Sequence, residues 1–150
     1  MALGFPELTV DFQHLDREAL LADWAWLVAP HQLPLLVTAM GDVFVQDMND
    51  RSVHRLDTAA GQLRRVADTG VDFVSLLDDP DFIALHFQPG AVGDLRAAGM
   101  ALPVGMVYGF RIPPHLGGDV DTDNIVAMPL ERHLQVLGQL HRQMRDGGTD

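Results

Sequence analysis

The sequence predicts an α+β fold: an antiparallel β-meander sheet packed by N-terminal, central short and long C-terminal helices. Three observations predict it. Four short apolar runs separated by turn residues lie between Leu33 and Ala67. Beyond them come short helical segments marked by Thr69, Asp79-Pro80 and Gly99. The C-terminal stretch carries an apolar stripe at helical spacing. At 150 residues the chain fits one domain, spanning 1–150.

The first element is an amphipathic helix over 16–28, with Asp16 as its cap and Pro30 beyond its end. Trp24 and Trp26 lie two apart and cannot face the same way, so one packs in the core and the other at its margin. The meander follows, with strands over 33–39, 42–48, 52–57 and 62–67. Its turns fall at Met40-Gly41, Asn49-Asp50 and Ala59-Ala60-Gly61. Thr69 and Asp72 have the spacing of a capping box with a shortened acid, which starts a helix over 70–77. Asp79-Pro80 reads as an N-cap followed by proline in the first helical turn. Pro89-Gly90 interrupts that helix; a further one over 91–98 ends at Gly99, where a left-handed cap belongs.

A strand over 106–112 stops at Pro113-Pro114, a loop runs over 115–123, and a short strand covers 124–128. The last helix spans 129–145, burying Leu130, Leu134, Leu137, Leu140 or His141, and Met144. Glu131 near its start and Arg142 and Arg145 near its end suit the helix dipole. Residues 147–150 are expected to fray.

Composition excludes several chemistries. With no cysteine there is no thiol nucleophile, thiolate zinc site or disulfide. Every basic residue is arginine, which removes Schiff-base lysines and the phosphate-loop lysine. The only serines, Ser52 and Ser75, lie outside any Gly-x-Ser-x-Gly motif. His133 and His141 are eight apart on one helix, too far for a shared metal. Asp119, Asp121 and Asp123 resemble the opening of a calcium loop, but the sixth position is Asn124 and the twelfth Leu130, where glycine and glutamate are needed. Asp78, Asp79 and Asp81 surround a helix start, where acids are expected. A carboxylate pair assembled only in space leaves no motif, so acid/base catalysis stays open on sequence grounds. The reading is a binding protein, not an enzyme, with no cofactor and no metal.

The net charge of −11 argues against direct contact with nucleic acid and favours fast association with a basic protein. No apolar run approaches membrane-spanning length, and the first residues have no basic leader. With no cysteine, a cytoplasmic location is expected.

The C-terminal third carries the run Tyr108, Gly109, Phe110, Arg111, Ile112, Pro113, Pro114, His115, Leu116, Gly117, Gly118, then Asp123-Asn124. A second run covers 133–143 and contains Gly138, His141 and Arg142. Earlier runs are Trp24-Ala25-Trp26-Leu27, Pro34 to Ala39, Gly41 to Phe44 and His54 to Thr58. Together, over about 20–146, these resemble the C-terminal domain of bacterial type VI secretion DNase-immunity proteins. The resemblance implies a protein that binds a secreted toxin, with a basic nuclease domain as the expected partner. An orphan regulatory or small-molecule-binding domain is the alternative. Two-domain members of that family carry a further N-terminal domain; about 20 residues precede the resemblance here. If that domain takes part in capture, this chain binds differently.

The residues themselves suggest what the runs do. Pro113-Pro114 and Gly117-Gly118 suit a fixed, turning backbone, and Gly138 a close helix approach. Tyr108 and Phe110 alternate on one strand face, and His141 is a candidate hydrogen-bonded core histidine. Candidate partner contacts are Asp42, Asp47, Asp50, Asp119, Asp121 and Asp123, all at expected turns or strand ends.

Overall fold

The structure, a computed structural model, describes residues 4–147. Of the residues expected to fray, Gly147 is the last residue of the C-terminal helix, and 148–150 lie outside the described residues. A short helix α1 (Phe5–Leu8) leads into a two-residue strand β1 (Thr9–Val10). The meander is β2 (Gln32–Thr38), β3 (Val43–Asp47), β4 (Val53–Asp57) and β5 (Gln62–Ala67). Strand β1 pairs antiparallel with β2, giving a five-stranded sheet in the order β1-β2-β3-β4-β5. Then come α2 (Gly70–Leu76), α3 (Pro80–Phe87) and α4 (Pro89–Ala97), the antiparallel pair β6 (Met106–Phe110) and β7 (Ile125–Pro129), and α5 (Leu130–Gly147). This is the α+β architecture that the sequence predicts.

The local signals act as expected. Thr69 caps α2 by accepting from the Asp72 N–H, and Asp79 caps α3 by accepting from the Asp81 N–H. Gln88 turns left-handed (φ 52°), so Pro89 starts a separate helix. Pro34 sits inside β2 because the pairing with β3 is irregular there, between Pro34 and Leu36.

The sheet is buried on both faces. In β3, Val43 and Val45 join a core with Leu56, Trp24, Leu130, Leu134 and Leu137. Phe44, between them, joins a second core with Phe73, Phe87, Val92, Leu95 and Tyr108. Strand alternation thus assigns one face to α5 and the other to α2–α4. Phe110 packs against the same core as Tyr108, as their shared strand face requires.

Three expectations are corrected. Residues 16–28 do not form an α-helix; most of their backbone bonds run from i to i−3, and only Ala22–Trp24 is a regular 3-10 turn. The tighter winding lets both indoles reach α5. Trp24 Nε1 donates to Leu134 O at 2.9 Å and Trp26 Nε1 to Gly138 O at 3.2 Å, with the rings stacked 5.6 Å apart. The two do face the same element, although Trp24 is buried and Trp26 sits at the margin. On α5, Met144 is exposed, and the buried stripe is Leu130, His133, Leu134, Leu137, Gly138 and His141. Past His141 the helix meets the rest of the protein through Arg145, which donates to Trp26 O at 3.3 Å. A Cβ on Gly138 would lie 2.6 Å from Asp23 O, so the glycine is what admits the 22–24 turn.

Candidate functional site

The family-like run around Pro113 folds into a compact loop pinned at its base. Gly117 is left-handed (φ 95°), and a Cβ on Gly118 would lie 1.7 Å from Ile112 O. The Asn124 carboxamide closes the base: its Oδ1 accepts from Ile112 N at 2.9 Å, and its Nδ2 donates to Ile112 O and Asp119 O at 2.7 and 2.6 Å. Such a loop holds its outer side chains in place without a regular element beneath them.

Those outer side chains are a mixed set. Ile112, Leu116 and Val120 are exposed, Val120 by 72%. Asp119, Asp121 and Asp123 are exposed among them. None of the three carboxylates has a hydrogen bond or ion pair among the described residues. At the loop's foot lies a cleft of about 140 Å³, lined by Phe110, Arg111, Pro113, Pro114, Met128, Arg132, His133, Val136 and Leu137. Exposed aliphatics beside unpaired charges are the make-up of a protein-contact surface with a polar rim.

The other three predicted acids are elsewhere. Asp50 is exposed, but its carboxylate accepts from the Ser52 N–H and hydroxyl at 2.9 and 2.5 Å. Asp47 is buried and accepts from Asn49 N at 2.8 Å, with His31 at 3.2 Å. Asp42 is 4% exposed. Asp42 and Asp47 are therefore corrected from surface contacts to internal groups that organise turns.

Asp42 belongs to a polar chain that crosses the end of the sheet. Arg55 donates to its Oδ2 at 2.6 Å, and Thr58 N and Oγ1 meet its Oδ1 at 3.1 and 3.2 Å. Burial raises the Asp42 carboxyl above the usual range, against the opposing pull of Arg55. Thr58 Oγ1 also lies 3.1 Å from His133 Nε2, which faces Gly41 O at 3.1 Å. A carbonyl acceptor requires a donor, so His133 carries its proton on Nε2. Farther along α5, His141 Nε2 donates to Thr58 O at 3.0 Å, which makes it the expected core histidine. The grouping of hydroxyl, imidazole and carboxylate invites comparison with a catalytic triad. Here Asp42 bonds Thr58 and Arg55, not the imidazole, and Thr58 is 1% exposed. The chain holds the Gly41 turn, the 58–61 turn and α5 together.

The sequence reading weighs His133 only as a metal ligand, too far from His141 to share an ion, and leaves it off the buried stripe. Its position three after Leu130 and four before Leu137 puts it on the buried stripe, a signal present in the sequence. Burial depresses its pKa from 6.5 to about 4. Folded His133 thus stays neutral where the unfolded chain takes up a proton. Its contribution to stability is complete above pH 6.5 and is lost as pH falls from there toward about 4, on the order of 3 kcal/mol in all. Urea unfolding between pH 7 and 4.5 checks this. H133N should flatten the slope, and an unchanged slope would assign the acid sensitivity elsewhere.

No helix among the described residues is long and apolar enough to cross a membrane. The fold is similar to the crystal structure of Atu4351 from Agrobacterium tumefaciens, with a TM-score of 0.54, 14% identity and 83% of this chain covered. The match spans 65% of that longer chain, so the likeness concerns part of it. No curated protein matches the chain. The family model described as "T6SS immunity protein Tdi1, C-terminal" matches residues 67–141. That span is narrower than the 20–146 of the sequence resemblance. It begins at the end of β5 and runs through the pinned loop, Asn124 and Gly138 to His141. On that match the chain belongs to the family of type VI secretion immunity protein Tdi1, C-terminal.

Proposed function

We propose that the chain neutralises a secreted toxin by binding it, without catalysis, and that the pinned loop over 112–124 is a contact face. The observation that supports this reading is the loop itself, which lies inside the family match and offers three unpaired carboxylates among three exposed aliphatic side chains. Ile112, Leu116 and Val120 supply apolar area to bury; Asp119, Asp121 and Asp123 supply the charge that selects a basic surface. A net charge of −11 suits a partner whose own site is basic, and a nuclease groove built for phosphates is such a site. The toxin's targets would then be cytoplasmic, and so would the complex.

The triple substitution D119N, D121N and D123N keeps the loop's shape and removes its charge. Stopped-flow association with the toxin domain should slow by roughly tenfold at low salt and lose most of its salt dependence. Association that is as fast and as salt-sensitive as before would remove the loop from the interface. The Asn124 clamp provides a second variant: N124A should weaken binding by loosening the loop while the charge is unchanged.

A further inference from the structure

We propose that the groove between β5 and α3 is a binding site for a small organic anion, a phosphate or carboxylate carried on an apolar or aromatic body. The groove has a volume of about 490 Å³ and is lined by Arg55, Arg64, Arg65, His86, Phe82 and Leu85, with Asp57 the one carboxylate in its lining. Arg55 and Arg64 thus present two of the chain's ten cationic side chains on one sheet face at this concavity, with Arg65 at its margin, in a protein whose net charge is −11. It shares no lining residue with the cleft at the foot of the pinned loop, and the inference does not depend on toxin binding.

The strand register makes this convergence costly. Arg55 and Arg64 are directly opposed on β4 and β5, where like charges repel. Arg55 is compensated by Asp42 at 2.6 Å and Asp57 at 3.9 Å. Arg65 pairs with the exposed Asp68 at 3.2 Å. Arg64 meets only the neutral Gln62 Oε1, at 2.9 Å, and has no carboxylate partner among the described residues. An exposed guanidinium with no carboxylate partner, beside a second guanidinium on the neighbouring strand, is placed to gain from an added anion.

His86 supplies a second donor. Its Nδ1 lies 3.2 Å from Arg55 Nη1, which can only donate, so Nδ1 accepts and the proton sits on Nε2. Burial, and then the charge of Arg55, hold His86 below its ordinary pKa, which keeps the ring neutral. Its Nε2–H has no acceptor among the described residues. The Phe82 ring, 4.3 Å from the imidazole, forms an apolar wall with Leu85 and Leu76. A few convergent polar donors over apolar walls are what a small-molecule site requires.

The test uses the intact chain and three probes, phenyl phosphate, benzoate and inorganic phosphate, followed by NMR. Phenyl phosphate or benzoate should give saturable shifts at Arg64, His86 and Phe82 within the millimolar range, and bind more tightly than inorganic phosphate because the ring uses the Phe82 wall. The stronger of the two organic probes identifies the anion type. R64Q, at an exposed position, should weaken binding by about tenfold or more, and R145Q should leave it unchanged. Absence of saturable shifts with all three probes would overturn the proposal, as would R64Q binding as tightly as the parent. With an acidic peptide added as a fourth probe, shifts at Arg64 that appear only with that peptide would also overturn it, by assigning the groove to a protein partner.

Discussion

R55M is expected to cost about 3–5 kcal/mol of folding stability at pH 7, because it leaves a buried carboxylate unpaired. A domain of this kind has about 5–15 kcal/mol in total, so the variant is close to unfolding. The loss follows from the position of Asp42, which is closed to solvent and takes two bonds from Arg55, at 2.6 and 3.2 Å. The Thr58 bonds remain in the variant, but they do not neutralise the charge. Burial already raises the Asp42 carboxyl, and removal of Arg55 raises it further. A raised acid penalises the folded state above its folded pKa, and that penalty fades as pH falls toward the unfolded value. The R55M deficit should therefore be smaller at pH 5 than at pH 7 in urea unfolding. The double variant D42N and R55M should recover part of it, since no charge is then buried alone. A deficit under about 1 kcal/mol at both pH values would mean that the pair behaves as a surface ion pair.

W24A should cost a similar amount, about 3–5 kcal/mol, through loss of the largest side chain in the sheet–α5 core. The indole fills that core, donates to Leu134 O, stacks on Trp26 and lies 5.8 Å from the His141 ring. Without it the 22–24 turn keeps on α5 the Gln139 Nε2 bond to Asp23 Oδ1 at 3.2 Å and, beside it, the Trp26 bond to Gly138 O at 3.2 Å, both at exposed or half-buried positions. At about 2–4 °C per kcal/mol for a chain of this size, the melting temperature should fall by about 10 °C. W26A, at the margin, should fall by less than half as much. Equal losses for the two would contradict the division into core and margin.

The parts of the fold legible in the sequence are those written in local chemistry. Thr69, Asp79-Pro80 and Gly99 mark helix ends because caps and left-handed turns need those residue types. The β2–β5 meander is legible because its apolar runs alternate between turn residues. Strand β1 is not: two residues carry no period, and only pairing with β2 defines it. Residues 16–28 carry a helical apolar pattern, yet docking of both indoles on α5 sets their backbone, a long-range effect outside a local window.

The candidate site divides the same way. Gly117, Gly118 and Asn124 are legible as a backbone-shaping run, and the loop they build keeps Asp119, Asp121 and Asp123 exposed. Asp42 and Asp47 lie at strand ends like the others, but Arg55 and the Asn49 turn draw them inward, and that pairing across strands is absent from the linear pattern. The Arg55–Arg64 opposition depends likewise on the β4–β5 register.

The central claim is toxin capture. Its most direct measurement is co-expression of this chain with a candidate toxin domain, chosen from those encoded beside its gene, scored by survival and followed by calorimetry on the purified pair. The account predicts protection, a one-to-one complex with nanomolar or tighter affinity (about −12 kcal/mol or beyond) and loss of both with the loop charges removed. A lethal toxin left fully active by the intact chain, with no heat of binding, would contradict it.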